Sequence, residues 1–197
     1  MIASDVAQKL IRDATEANNT WRVLLLDALG KTAGADVASD VDSPPYDKSL
    51  VDGYAVLAAD VQDGPVELQV VEEVMAGQVP QRTVTSGSAI RIMTGAPIPT
   101  GADAVVMVED TRTVDDTRVK VTVDRLESGQ SIMRQGVSMK RDQVVLRRGT
   151  PIRAVEIGLL AEAGCDGVEV FRTPTVALIE TGDELVPSGQ PLKPGQI

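Results

Sequence analysis

Apolar residues open the chain at helical spacing. Val6, Ala7, Leu10, Ile11, Ala14 and Ala17 share one face behind Ser4, a good N-cap, which predicts an amphipathic helix to about Glu16 that Asn18-Asn19-Thr20 ends. The rhythm then shortens. Trp21 to Leu25 reads as a strand with Trp21 as a packing residue, Leu26 to Leu29 as a helical turn stopped by Gly30, and Ala35 to Ser39 as an extended piece. From Tyr54 to Val123 short strands are expected near 53–58, 65–74, 88–93, 103–108 and 118–124, punctuated by Gly, Pro and Asp turns, which is the pattern of a small, mostly antiparallel β domain or barrel. Beyond it, Val144-Val145-Leu146 precedes a Gly149-Thr150-Pro151 turn and a helix from about Ala154 to Ala163. That helix is apolar on most sides, so it is expected to be buried between layers, with Gly164 at its C′ position. Two strands follow, Val168 to Phe171 and Thr175 to Ile179. The second reads as the first strand of a parallel α/β sheet, and with only the residues to Ile197 behind it the chain is expected to be a piece cut early in a further α/β domain.

One stretch is denser in chemistry than the rest. Ser43-Pro44-Pro45-Tyr46-Asp47-Lys48-Ser49-Leu50-Val51-Asp52-Gly53-Tyr54-Ala55-Val56 holds both tyrosines of a chain with four aromatic residues. The prolines fix φ and keep the preceding residues extended, Asp47 and Ser49 suit turn-like bonds to nearby amides, and Asp52-Gly53 is a strong turn dipeptide. A stiff crossover whose polar groups satisfy the backbone is one reading; a site built from Asp47, Ser49 and Asp52 as oxygen ligands or acceptors is the other.

Composition narrows the chemistry. A net charge of −10, from 29 acids against 19 bases in 197 residues, argues against non-specific binding to nucleic acid or anionic membranes. An anionic ligand would need a divalent cation, backbone amides or a few placed basic side chains. With no histidine, imidazole bases and the usual zinc sites are excluded within the chain, and the single cysteine, Cys165, excludes an internal disulfide and reads as a structural thiol. No run of about 18 apolar residues and no signal-peptide pattern is present, so the expected location is cytoplasmic.

Three further candidates carry polar chemistry. Arg91-Ile92-Met93-Thr94-Gly95-Ala96-Pro97-Ile98-Pro99-Thr100-Gly101-Ala102-Asp103 runs from a strand into a loop where Thr94 and Gly95 have a hydroxyl and amides to offer an oxyanion. A proline-stiffened structural loop is the alternative. Thr181-Gly182-Asp183-Glu184 places adjacent carboxylates that suit a hydrated Mg²⁺, or simply a capped turn. Arg134, Lys140, Arg141, Arg147 and Arg148 form a local basic excess suited to phosphate, though alternating exposed charge on strands gives the same composition. Neither a Walker phosphate loop nor a dinucleotide glycine fingerprint occurs.

Taken together and in order, Pro44 to Val56, Ile92 to Val106, and Thr181 to Leu185 with Pro194 to Ile197 resemble the molybdopterin molybdenumtransferase family, known as MoeA and as the E domain of gephyrin. The resemblance spans essentially the whole chain and the first half of a family member. It implies an α+β fold: a discontinuous α/β first domain (1–50 and 130–172) that dimerises, an inserted β-rich, barrel-like domain (51–129), and the start of a truncated α/β domain that binds the pterin (173–197). It also implies molybdenum cofactor biosynthesis by insertion of molybdate into adenylated molybdopterin, with Mg²⁺ as cofactor, in a homodimer whose further partners are molybdopterin adenylyltransferase and molybdoenzymes. Carried over by position, the catalytic residues are Asp52, Thr94 and Glu184, and the substrate-binding residues Ser49, Gly95, Thr181, Gly182 and Asp183, with Glu184 also a ligand for Mg²⁺. The chain alone is expected to be inactive.

The sequence departs from the family pattern in places. Gly136-Val137-Ser138 stands where Gly-Glu-Asp is usual, Lys48 where asparagine is usual, and Glu180 where a small hydroxyl residue is usual. A non-catalytic dimeric scaffold or regulatory paralogue is therefore a second expectation.

Overall fold

The structure is a computed structural model that describes residues 2–17 and 19–197. Helix α1 spans Ser4–Ala14, with Ala3 rather than Ser4 at its N-cap and no side chain capping it. It stops short of Glu16, at Thr15, whose hydroxyl donates to the Ile11 carbonyl at 2.6 Å; Asn18 of the expected stop lies outside the described residues. The helix buries none of its residues, so its apolar face has no cover among the described residues.

Strand β1 (Thr20–Leu24) pairs antiparallel with β12 (Gly167–Phe171), Thr20 opposite Phe171. Trp21 is 44% exposed and carries the Arg172 guanidinium over its ring at 5.3 Å, so it is a surface platform and not a core residue. A 3-10 turn over Leu25–Ala28 follows, and Gly30 takes the left-handed conformation that ends it. Strand β2 (Val37–Ala38) pairs with β11 (Val144–Leu146), and β3 (Lys48–Ser49) with β10 (Ile132–Met133), both antiparallel. Helix α2 (Ala154–Glu162) and strands β1, β11 and β12 enclose a core of Val23, Leu146, Ile152, Leu160, Val168 and Val170.

That helix is not buried between layers. Only Glu156 and Leu160 are buried along it, and Val155 is 74% exposed, because its apolar residues are spread around the axis and one side meets the core. Its first turn is fixed by Glu156, which accepts the Arg153 amide at 2.9 Å and the Arg153 guanidinium at 3.0 and 2.7 Å. Gly164 ends it with φ of 88°, as expected of a C′ glycine.

Between β3 and β10 the chain builds one six-stranded sheet in the order β7-β4-β6-β5-β9-β8, from β4 (Gly53–Val56), β5 (Val66–Val74), β6 (Ser88–Ile92), β7 (Ala104–Met107), β8 (Thr111–Asp115) and β9 (Arg118–Val121). All pairings are antiparallel except β5 with β6. Strand β8 escaped the sequence reading because its residues are exposed or half-exposed throughout, so no alternation marks it. No pairing joins β8 back to β7 among the described residues, so the sheet curls without closing into a barrel. Both faces are covered: Tyr54, Val56, Leu68, Val106, Val119 and Leu126 pack on one, and Ala55, Val74, Ile90, Ile92, Val105 and Ile132 on the other. Strand β4 is therefore buried at every position, which anchors the residue just before it.

The expected strand Thr175–Ile179 is absent. Val176, Leu178 and Ile179 are 75%, 90% and 85% exposed, with no strand beside them among the described residues to take their backbone hydrogen bonds. The molecule is thus a mixed helix and sheet protein.

Candidate functional site

Asp52 sits where the loop after β3 turns into β4. Gly53 follows because only glycine fits: a Cβ there would overlap the Val106 carbonyl oxygen and lie 2.9 Å from the Val106 carbonyl carbon. The Asp52 carbonyl accepts the Val108 amide at 3.0 Å, so the backbone on both sides of the carboxylate is tied to β7 and the turn behind it.

The side chain is tied elsewhere. Asp52 Oδ1 accepts both the amide and the hydroxyl of Thr94, each at 2.7 Å. The Thr94 hydroxyl and amide beside it hold the Asp52 carboxyl below the usual carboxylate range, with a smaller contribution from the Arg91 cation. Asp52 is ionised at neutral pH, and its Oδ2 takes no hydrogen bond among the described residues. One oxygen is fixed and the other is open to solvent.

Ser49 makes this corner rigid. Its amide donates to the Ala96 carbonyl at 3.0 Å, and its carbonyl accepts the Gly95 amide at 2.9 Å. Its buried hydroxyl donates to the Val51 carbonyl at 2.6 Å and accepts the Val51 amide at 3.2 Å. One residue earlier Lys48 bridges Pro97, and the Asp47 carbonyl accepts the Ile98 amide at 2.9 Å. The turn at Gly95 needs φ of 85°, which glycine supplies at no steric cost. The loops at 47–52 and 94–98 are thus zipped together, with Asp52 and Thr94 at the open end.

This changes the chemistry expected of Thr94 and Gly95. The Thr94 amide and hydroxyl are spent on Asp52 and the Gly95 amide on Ser49, so neither residue aims a donor at an external oxyanion. The group presented outward is a carboxylate oxygen. Such an oxygen accepts a proton or a hydrogen bond, or binds a cation; it repels an oxyanion that arrives without one.

Thr181, Gly182, Asp183 and Glu184 are not drawn into this corner. They lie exposed in a turn closed by the Leu185 amide on the Gly182 carbonyl at 3.2 Å, with no hydrogen bond or ion pair to Asp52 or Thr94. The Glu184 carbonyl accepts the Ile197 amide at 2.8 Å, which joins the two ends of the last segment. Gly182 suits the turn because its φ of 137° is a conformation that L side chains rarely adopt. Among the described residues no three acidic or thiol side chains gather at metal-binding spacing, so Asp52 and the Asp183-Glu184 pair do not make a Mg²⁺ site between them.

The basic excess is largely paired. Arg134 bonds Asp47, Arg147 reaches Asp36 at 2.8 Å, the Arg148 amide donates to Asp36 at 2.7 Å, and the Arg148 guanidinium covers the Phe171 ring at 5.1 Å. These cations hold strands together. Sequence reasoning gave no role to Arg91, whose cation acts on Asp52 from β6, where it lies opposite Tyr54. Two surface clefts, one lined by Arg22, Asp36, Asp40 and Cys165 and one by Tyr54, Glu73, Arg91 and Arg118, do not include Asp52, which is exposed.

Residues 2–164 match the family model described as the MoeA N-terminal region, domains I and II. The molybdopterin molybdenumtransferase of Nostoc sp. is 37% identical over 198 residues, covering 98% of this chain and 45% of the relative; that of Bacillus subtilis is 35% identical over 202 residues, covering 100% and 47%. A molybdopterin molybdenumtransferase 2 of Mycobacterium tuberculosis is 36% identical, covering 96% and 47%. The crystal structure of the molybdopterin biosynthesis MoeA protein from Pyrococcus horikoshii superposes with a TM-score of 0.86 at 36% identity, covering 97% of this chain and 50% of that one. The chain thus spans about half the length of the relatives it matches. With the matched region covering most of the sequence, the chain belongs to the MoeA family.

Proposed function

We propose that the protein of which this chain forms part is a molybdopterin molybdenumtransferase of molybdenum cofactor biosynthesis, inserting molybdate into adenylated molybdopterin. One observation carries the reading. Asp52 is held by two donors from Thr94 on one oxygen and is open on the other, which preorganises a charged acceptor at no further ordering cost when substrate arrives. In this reading Asp52 accepts a proton or hydrogen bond from the reacting ligand, Thr94 keeps it ionised and aimed, and Ser49 and Gly95 fix the two loops. Thr181, Gly182, Asp183 and Glu184 bind substrate in the segment beyond β12, and Asp183 and Glu184 would supply oxygen ligands to Mg²⁺ only together with ligands from outside this chain, so no step is assigned to the metal. An open corner excludes little water, so a second surface has to cover it. A homodimer with the corner facing a partner subunit meets that need. The proposed location is the cytoplasm, and among the described residues no helix is long and apolar enough to cross a membrane.

The test is complementation. The full-length protein should restore molybdoenzyme activity to cells lacking their own transferase, and Asp52→Ala should abolish that activity with the melting temperature nearly unchanged. Activity retained in the alanine variant would sink the assignment. A second reading, a dimeric scaffold without catalysis, rests on Val137: it is 63% exposed where the family pattern has a carboxylate. Tight binding and turnover of adenylated molybdopterin by the full-length protein would rule it out.

A further inference from the structure

A third cleft, of about 490 Å³, opens at the end of the β1–β12 pair and is larger than the two already described, of about 380 and 260 Å³. None of its lining residues belongs to the loops at 47–52 and 94–98, so it is not part of the Asp52 corner. One wall is held by backbone bonds. The Gly30 amide donates to the Ile152 carbonyl at 2.8 Å, the Lys31 carbonyl accepts the Ile152 amide at 2.8 Å, and the Thr32 carbonyl accepts the Phe171 amide at 2.9 Å. The other wall, residues 15–17 and 173–174, comes from the two segments that run off the β1–β12 pair. They are kept side by side where Thr20 faces Phe171 and the Arg172 amide reaches the Asn19 carbonyl at 3.1 Å.

The charge of the lining decides what fits. Around the cleft lined by Arg22 stand Asp36, Asp40, Asp166 and Glu169, and around the one lined by Arg91 and Arg118 stand Glu73, Asp115 and Asp116, so carboxylates outnumber cations in both. Here the order is reversed: Lys31 and Arg172 stand against Glu16 alone, on a chain of net charge −10. Lys31 is half-buried, and its ammonium has no ion pair and no hydrogen bond among the described residues. Partial burial of a cation without a partner is unfavourable, and a bound anion offsets it. The remaining parts are in place before any ligand arrives. The Arg172 guanidinium rests over the Trp21 ring at 5.3 Å, and the half-buried Phe171 ring carries the Arg148 guanidinium at 5.1 Å.

We propose that this cleft is a binding site for a small phosphate ester with an aromatic body, its phosphate on Lys31 and Arg172 and its ring against Phe171 and Pro174. A dianionic phosphate matches two cations that one carboxylate only half offsets. The inference does not depend on the transferase reading, because the cleft shares no residue with the site assigned there.

The test titrates the 197-residue chain with phenyl phosphate and follows the backbone amides by nitrogen-15 NMR. The amides of Lys31, Thr32 and Phe171 should shift together and saturate with a Kd of about 1 mM or below. Inorganic phosphate and phenol each offer one half of the ligand and should bind more weakly by about tenfold or more. Lys31→Met should weaken phenyl phosphate by about tenfold or more, while Lys31→Arg keeps the charge and should stay within about threefold of the parent. Lys120→Met, which removes an exposed cation on β9 outside the cleft, should leave the Kd unchanged. If Lys31→Met does not fold, Lys31→Gln is read by the same criterion. No saturation by about 10 mM, shifts centred on other residues, or equal weakening in Lys120→Met overturns the proposal. So does inorganic phosphate binding as tightly as phenyl phosphate, which would mean an adventitious ion only.

Discussion

Gly53→Ala probes how the site is built into the sheet. The added methyl meets only backbone: the Val106 carbonyl oxygen inside contact distance, its carbon at 2.9 Å and Met107 Cα at 3.2 Å. No side chain can rotate away, so β4 and β7 must separate where Gly53 faces Met107 and Tyr54 faces Val106. Loosening two ladder positions costs about 1 kcal/mol each. Overpacking at a buried position adds about 1–3 kcal/mol. The expected loss of about 3–5 kcal/mol is a large part of the roughly 5–15 kcal/mol that holds a domain folded. For a chain of this size it lowers Tm by roughly 10 °C. Gly158→Ala is the control of opposite sign: it lies within α2 with nothing within 4 Å of the new methyl, and alanine there should stabilise by about 0.5–1 kcal/mol. Thermal and urea unfolding of the three proteins decide the matter. A Gly53→Ala protein within 2 °C of the parent would refute the argument from close approach.

Thr94→Val removes one of the two donors on Asp52 Oδ1, so the Asp52 carboxyl should titrate closer to the ordinary value, read from its carbon-13 shift against pH. No change would show that the amide alone sets it. Glu156 is held down to about 2 by the Arg153 guanidinium and amide, from an ordinary value of 4.5. A depressed carboxylate stabilises the fold above its unfolded pKa and loses that contribution as pH falls through the folded one. The stability gap between the parent and Glu156→Gln should accordingly shrink between pH 4.5 and about 2; a pH-independent gap contradicts the ion pair as its source. Ile90→Ala empties a fully buried position between the sheet and Ile132 and should cost about 2–5 kcal/mol by urea unfolding. A cost below 1 kcal/mol would mean that this face is not a core.

Much of the fold was legible where periodicity had a physical cause. Strands β4, β6 and β7 are buried and flanked by Gly and Pro turns, so their apolar runs announced them. Strand β8 was silent because an exposed edge strand needs no apolar alternation. The helix at Ala154 was found, but its cover was misjudged, since composition says how apolar a helix is and not which side meets a core. The run Thr175 to Ile179 has strand propensity and lacks a neighbour, and propensity does not form a strand by itself. At the site, Asp52 and Thr94 were nameable from their motifs. Their mutual bond was not, because it spans 42 residues and consumes the donors that the loop's sequence offers to a ligand. Asp47 was singled out as an acceptor of amides, but its partner, the Gln135 amide 88 residues on, was not legible, and neither were Asp36 and Asp42 as acceptors of the Arg148 and Arg141 amides.

The antiparallel pairing of segments 36–49 and 132–148 also has a kinetic meaning. Thr20 and Glu169, which bond across β1 and β12, are 149 residues apart, and each doubling of a closing loop costs about 0.6 kcal/mol. Once the six-stranded sheet has formed and these segments have zipped back to Asp36 and Arg148, only two short arms remain to be joined, which removes roughly two doublings and about 1.2 kcal/mol of closure entropy. Closing the terminal strands in that order is expected to be roughly eightfold faster than in an unzipped chain. Removing Asp42 or Asp47 should slow that final step in stopped-flow refolding while leaving the sheet's own phase untouched.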